Sequence, residues 1–311
     1  MKNNERKPEI QVPSEMIAKT GMEEKPHHVV VLSDVHLPGG NLEGKEKVIE
    51  DINSWETVDM TTVLGDIVET YGSEEQYAFA KAFLGKLDKP LKVVAGNHEY
   101  IYVDGYLLNE ETGCHLKETR PDMRKKKLDR YKRTWELDKT FYSERLGNYL
   151  LVFLTVDNLY TQNYTEMSFC QLRWLDDLLR DNRETPTIIF FHGPLKGTYS
   201  DKRINKRNPD SNDAEPSGII KEILRKNRQV FLWVAGHKHI RATAEDYASE
   251  INLYDDHIWV IHNSTWALPP EIDTFWTNSL FLYPDHVKVR TYDHKKKDWI
   301  KQLDRSFSIR S

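Results

Sequence analysis

The stretch VVVLSDVH, residues 29–36, sets the pattern from which the fold follows. Its first part, Val29–Leu32, is a short continuous apolar run of the kind found in strands that are buried on both faces. The run ends in polar residues, so that Asp34 and His36 follow the strand directly. In open sheets of strands and helices, ligands bind beyond the carboxyl ends of the strands. The stretch therefore predicts a buried strand with a functional site at its end.

Further apolar runs repeat this pattern along the chain. They are Thr61–Leu64, Leu91–Val94, Tyr149–Val156, Thr187–Phe191 and Val230–Val234. Helical apolar stripes separate several of these runs, and alternation of strand and helix predicts an α/β protein. Near the end of the chain, more runs follow one another without helices between them: Trp259–His262, Ser279–Leu282 and Val287–Thr291. We expect these last runs to form a second sheet that packs on the first.

The composition of the 311 residues is that of a soluble globular protein. Hydrophobic residues make up 39% and charged residues 30%, with a net charge of -5, which argues against a general nucleic-acid coat protein. The two cysteines, Cys114 and Cys170, form no CxxC pair, so we expect a reducing compartment without a disulfide framework. No secretory signal and no apolar run of ~20 residues is seen, so we expect a cytoplasmic protein without a membrane partner.

The chain is predicted to form one catalytic domain over residues 27–311, preceded by a polar arm over residues 1–26. An insertion of about residues 100–147 follows the third strand, and it contains a run rich in lysine and arginine that includes Arg124 to Lys127. Such a run is usually the solvated face of a helix. The alternative hypothesis is a rim that attracts an anionic substrate.

Most of the strands end in residue types that bind metal ions. These residues are Asp34, His36, Asp66, Asn97, His192, His237 and His239. One such block alone is a weak signal, but blocks of this kind at the ends of five strands predict a shared site. A mixed set of nitrogen and oxygen ligands favours manganese, iron, zinc or a similar ion over calcium or magnesium. Seven candidate ligands are too many for one ion and suffice for two ions that share a carboxylate.

The order of these blocks, DVH, GDIVE, GNHE, a strand-end His192 and GHKH, resembles the calcineurin-like metallophosphoesterase family. The segment QLRWL at residues 171–175 is similar to bacterial phosphodiesterase-like members. The resemblance implies two packed mixed β-sheets flanked by helices, a four-layer sandwich. It also implies two ligand sets that share Asp66 as a bridge: Asp34, His36, Asp66 and His239 in one, and Asp66, Asn97, His192 and His237 in the other. By the same resemblance, His98 is the catalytic acid or transition-state stabiliser, which Glu69 or Glu99 orients.

The function that the resemblance implies is hydrolysis of phosphodiesters or phosphomonoesters by a hydroxide that bridges two metal ions. Manganese or iron is expected, with zinc as a further option, and the expected partner is a small phosphoester. Two alternatives stay open: a metal-dependent nuclease that holds a phosphate backbone with the basic insertion, and a non-catalytic binding module on the same fold. Two departures bear on the branch of the family: Glu69 stands where Asp is commoner, and Gly193 follows His192 where cyclic-nucleotide phosphodiesterases often have a second His.

Overall fold

A computed structural model describes residues 25–104, 118–161, 163–200, 213–267 and 274–309. Most of the predicted arm over residues 1–26, and Cys114, lie outside the described residues. The strands are β1 (His27–Leu32), β2 (Val58–Leu64), β3 (Leu91–Val94), β4 (Tyr142–Leu146), β5 (Tyr149–Phe153), β6 (Thr187–Phe190), β7 (Val230–Ala235), β8 (Leu253–Tyr254), β9 (Ile258–His262), β10 (Trp276–Leu282), β11 (His286–Asp293), β12 (Asp298–Trp299) and β13 (Arg305–Ser308). The helices are α1 (Leu42–Ser54), α2 (Glu74–Leu84), α3 (Pro121–Trp135), α4 (Phe169–Asp181) and α5 (Ser217–Lys226). None of these helices is long and apolar enough to cross a bilayer.

The first sheet has the strand order β12-β11-β10-β1-β2-β3, with β13 also paired to β11. Strands β1, β2 and β3 are parallel, whereas β10 runs antiparallel to β1 and pairs Leu280 with Val29. The prediction that the last strands form a separate second sheet is therefore wrong, because β10 and β11 extend the first sheet. Without its β10 neighbour, β1 would have an unpaired edge at the centre of the molecule.

The second sheet has the order β4-β5-β6-β7-β9-β8. Strands β5, β6, β7 and β9 are parallel, and β4 and β8 run antiparallel at the two edges. Of the three last runs in the sequence, only β9 belongs to this sheet. The edge strand β4 lies in the region predicted as an insertion, so that region supplies part of the sheet.

Alternation along each strand places the two sheets face to face between layers of helix. On β1, Val29 and Val31 contribute to the core between the sheets, together with Phe153 and Phe190 of the second sheet. Val30 and Leu32 point to the opposite face, where they join a core that includes residues of α1 and α2. On the other side, the outer face of the second sheet shares a core with α4 and α5. The four-layer α/β architecture with two mixed sheets is thus confirmed.

The insertion carries helix α3, which packs on the domain through Leu128 and Tyr131. Two of its basic side chains are buried. Arg124 donates to the carbonyl oxygens of Thr119, Leu159 and Thr161. Lys127 contacts Asp104 and the carbonyl oxygen of Tyr71. Arg124 and Lys127 therefore bind groups of the protein and hold the insertion in place. The hypothesis that Arg124 to Lys127 steer an anionic substrate is wrong for these two residues.

Candidate metal centre

The ends of strands from both sheets meet at one edge of the sandwich and bring the predicted metal ligands together. In one group, ligand atoms of Asp34, His36, Asp66 and His239 all lie within 4.8 Å of one another. In a second group, those of Asp66, His192 and His237 do the same. Asn97 adjoins the second group, with Oδ1 at 3.1 Å from His192 Nε2. Asp66 belongs to both groups, which is the position expected of a bridging carboxylate.

The backbone at this edge adopts left-handed conformations that are uncommon outside glycine. Five candidate ligands have positive φ: Asp34 (49°), His36 (42°), Asp66 (48°), His237 (65°) and His239 (51°). Residues in such conformations cost free energy and concentrate at functional sites, where the surrounding structure holds them. The strand ends are therefore bent to aim these side chains inward, at the expense of local stability.

Glycines make the close approach of these strand ends feasible. Gly65 has a φ of 79°, and a side chain there would meet the backbone of Gly96. A Cβ on Gly96 would clash with Asp66 Oδ1 and would lie 2.8 Å from His192 Nε2. Only glycine at both positions lets the carboxylate and the imidazole reach the same point.

The second group presents lone pairs to a common point. The carbonyl oxygen of Leu64 lies 2.7 Å from His192 Nδ1 and accepts its proton in the neutral ring, which leaves a lone pair on Nε2. That Nε2 atom lies 3.0 Å from His237 Nδ1, 3.1 Å from Asn97 Oδ1 and 3.3 Å from Asp66 Oδ2. Burial lowers the pKa of His192, but the Asp66 carboxylate outweighs it and raises the pKa to about 9. A metal ion bound here would replace the proton on Nε2, because a histidine ligand must be neutral. The converging atoms of Asp66, Asn97, His192 and His237 fit such an ion.

The first group, Asp34, His36, Asp66 and His239, also presents ligand atoms to a common point. The carbonyl oxygen of Glu69 lies 3.3 Å from His36 Nδ1, which leaves Nε2 facing Asp66 Oδ2 at 3.8 Å. This Nε2 atom is buried and has no hydrogen-bond partner among the described residues. Burial and the neighbouring His98 lower the pKa of His36 to about 3, so the ring is neutral, as a metal ligand must be. Burial opposes ionisation of Asp34, yet His239 at 3.1 Å lowers its pKa to about 2.

His98 lies beside the two groups. Its Nε2 atom is 3.9 Å from Asp66 Oδ2, and its ring packs against His36 with the centroids 4.7 Å apart. The expected hydrogen bond from His98 to the carboxylate of Glu69 or Glu99 is not formed, because the buried Nδ1 atom of His98 has no partner in the described part of the chain. The orienting role predicted for Glu69 therefore lacks the contact on which it depends.

Glu99 has a different role, which the sequence analysis missed. Its fully buried carboxylate accepts hydrogen bonds from the backbone N–H groups of Asp66, Ile67, Val68 and Gly96, at 2.7 to 3.1 Å. These groups lie in the loops after β2 and β3, so Glu99 joins the loop of Asp66 to the loop of Asn97. The sequence signal was the acidic residue that completes GNHE.

The family model described as calcineurin-like phosphoesterase matches residues 27–241. The chain belongs to this family. Among solved structures, a dimetal phosphatase from Danio rerio is 18% identical, covers 92% of this chain and 100% of its own, and has a TM-score of 0.60. GAP50, the anchor in the inner membrane complex of Plasmodium, is 11% identical, covers 93% of this chain and 90% of its own, and has a TM-score of 0.56. No curated protein sequence matches the chain.

At these identities the solved structures support the fold alone. Membership of the family adds metal-dependent phosphoester hydrolysis as the general activity, and the two groups of side chains supply a candidate divalent metal centre. One fold can host different functions, so the substrate has to be argued from this chain's own site.

Proposed function

We propose that this protein hydrolyses phosphoester bonds at a dinuclear metal centre. The ligands are Asp34, His36, Asp66, Asn97, His192, His237 and His239. The observation that carries the proposal is the convergence of candidate ligand atoms in two adjoining groups that share Asp66. Metal ions bound there supply Lewis acidity, which activates water and polarises phosphoryl oxygens. The nitrogen and oxygen donors favour manganese or iron, with zinc as a further option.

His98 is the group proposed to act on the leaving oxygen. It lies within 3.9 Å of Asp66 Oδ2 but belongs to neither ligand group. Its ring is held between His36 and Tyr102, with centroid distances of 4.7 and 5.1 Å. An imidazole fixed in this place can donate a proton to the departing oxygen or stabilise the charge on the phosphoryl group.

A cavity of about 560 Å³ next to His239 supports a small organic phosphoester as the substrate. Its lining includes Lys238, Arg241, Tyr199 and Asp246. The Lys238 ammonium group lies 4.9 Å from the centre of the Tyr199 ring, so a cation and an aromatic surface border the same space. We propose that the organic part of the ester lies here. The nuclease alternative loses support, because Arg124 and Lys127 of the insertion are buried.

The test is hydrolysis by metal-depleted and manganese-loaded protein, with monoesters, cyclic nucleotides, nucleotide diesters and single-stranded DNA as substrates. We expect hydrolysis of a small ester only after loading. Loaded protein that binds manganese and hydrolyses none of these substrates would favour the non-catalytic alternative. Hydrolysis of DNA alone would favour the nuclease.

The role of His98 is tested by leaving-group chemistry. A p-nitrophenolate group leaves without a proton, whereas an alkoxide needs one, so general acid catalysis matters more for alkyl esters, by ~10²–10⁴-fold. His98→Ala should therefore reduce kcat/KM severely for alkyl esters and much less for p-nitrophenyl esters, with the metal content unchanged. Equal losses with metals retained would assign His98 to the phosphoryl oxygens instead. Loss of a metal ion would make His98 a ligand.

A further inference from the structure

The side chain of Asn97 has two unlike ends, and only one of them can bind a metal ion. Its Oδ1 atom carries lone pairs, whereas Nδ2 carries two protons that repel a cation. Here Oδ1 lies 3.1 Å from His192 Nε2, in the second ligand group. On the other side of the amide, Nδ2 donates a hydrogen bond to the hydroxyl oxygen of Tyr102 at 2.9 Å. The orientation of the amide is thus linked to this hydroxyl group.

Tyr102 is itself held firmly. It is 6% exposed, and its ring packs edge-on against His98 with centroids 5.1 Å apart. The turn after β3 brings it over Asn97, since the N–H groups of Tyr100 and Ile101 both donate to the Asn97 carbonyl oxygen. A backbone bridge between Tyr102 and Glu118 fixes the far side of the turn. The hydroxyl acceptor therefore has a defined place beside the amide.

We propose that Tyr102 is a positioning residue that holds Asn97 with Oδ1 toward the second metal ion by accepting a hydrogen bond from Nδ2; this rests on the proposed dinuclear function. With phenylalanine at position 102, the Nδ2 protons would be buried without an acceptor whenever Oδ1 faces the metal. The reversed amide would place the same protons toward the cation. The first arrangement costs free energy because a buried donor lacks a partner. The second disfavours the ion because its protons repel the cation.

The test is binding of Mn²⁺ alone to the Tyr102→Phe protein. Calorimetry measures the affinity for each ion, and electron paramagnetic resonance detects the coupled ion pair. Loss of a group that orients a metal ligand typically lowers metal affinity ~10–100-fold. We expect a loss of this size for the second ion and an unchanged first ion at Asp34, His36 and His239. The control is Tyr100→Phe in the same turn, which removes a buried hydroxyl that donates to the Asn158 carbonyl oxygen and not to the amide. It should leave both affinities unchanged.

The variant Asn97→Asp separates the orientation of the amide from other effects of Tyr102. In Asn97→Asp both side-chain oxygens are acceptors, so no orientation has to be selected. Tyr102→Phe should then lose most of its effect on the second ion. If Tyr102→Phe lowers the affinity equally in the wild-type and the Asn97→Asp backgrounds, the inference is overturned, and an unchanged affinity in Tyr102→Phe alone would overturn it too. If the wild-type protein binds one Mn²⁺ only, the dinuclear proposal itself fails.

Discussion

Glu99 joins two loops of the metal centre through one carboxylate. Burial and the nearby Asp66 charge raise its pKa to about 7, while the backbone hydrogen bonds oppose this rise. Its four close partners are all N–H donors, and a carboxylate with two acceptor oxygens satisfies them where a protonated acid would not. We therefore regard Glu99 as ionised and as the group that sets the distance between Asp66 and Asn97.

Glu99→Gln tests this role. Glutamine keeps one acceptor oxygen but turns an NH₂ group toward backbone N–H donors, so buried donors lose their acceptor. We expect the free energy of unfolding of metal-free protein to fall by ~1–3 kcal/mol in urea titrations. Glu50→Gln, on the exposed face of α1, is the control and should change little. Equal stabilities of the two variants would contradict the account of Glu99.

At the level of single residues, the sequence pointed to the candidate ligands that the structure brings together, but not to the groups that support them. Asp34, Asn97 and His239 are recognisable because residue types that bind metals directly follow buried strands. Glu99 and His36 form hydrogen bonds with backbone groups. Because every residue has a backbone, no residue type in the sequence indicates such a partner. The contact predicted between Glu69 and His98 failed for this reason: the backbone carbonyl of Glu69, not its carboxylate, reaches the site.

Helix α3 shows how an element can bury its charges. Arg124, Lys127, Leu128 and Tyr131 recur at helical spacing and form one buried face. The guanidinium group of Arg124 is satisfied by three carbonyl oxygens and by Glu118 at 2.8 Å. Counting charges along the insertion could not reveal this, because Lys125 and Lys126 on the opposite face are exposed. The apolar residues Leu128 and Tyr131 indicate which face of the helix is buried.

Arg124→Met should therefore affect folding and not substrate attraction. Three buried carbonyl acceptors and the Glu118 carboxylate would lose their donor, and hydrogen bonds to charged groups contribute ~1.5–3 kcal/mol each. We expect a lower melting temperature and no greater loss of kcat/KM at low salt than at high salt. Lys126→Met, at an exposed position on the same helix, should leave the melting temperature unchanged. A loss of kcat/KM confined to low salt for Arg124→Met would restore the steering hypothesis.

At the scale of the whole molecule, the sequence predicted the α/β class and the family sandwich but not the distribution of the last strands. β9 and β10 are both apolar runs in a part of the chain without helices, and their patterns suit either sheet. Which sheet a strand joins depends on unpaired edges left by strands far away in sequence, such as the β1 edge that β10 covers. A local pattern carries no information on such an edge.

Two buried histidines make stability depend on pH. His28 bonds Thr57 and Ser279 with its two ring nitrogens, and burial lowers its pKa to about 4 despite Asp59. His262 lies 3.0 Å from the Thr198 carbonyl oxygen, and burial lowers its pKa to about 4 as well. Between pH 6.5 and 4, the unfolded chain binds protons at these rings and the folded chain does not, so stability falls as the pH falls.

Urea unfolding at pH 7 and pH 5 measures this loss. A depressed pKa contributes ~1.4 kcal/mol per pH unit and per group inside that window. Replacement of His28 by glutamine should make the stability of the protein less dependent on pH. His27→Gln, which removes a neighbouring histidine with 42% of its side chain exposed, is the control. The same pH dependence in both variants would show that His28 is not a source of the loss.

Metal analysis of purified wild-type and Asp66→Asn protein tests most directly whether Asp66 bridges two metal ions. Asparagine keeps the size of the side chain but offers one neutral oxygen, so it cannot serve two cations as a carboxylate does. We expect about two manganese ions per wild-type chain and weakened binding of both in the variant. One ion per wild-type chain, bound equally well after Asp66→Asn, would contradict the account.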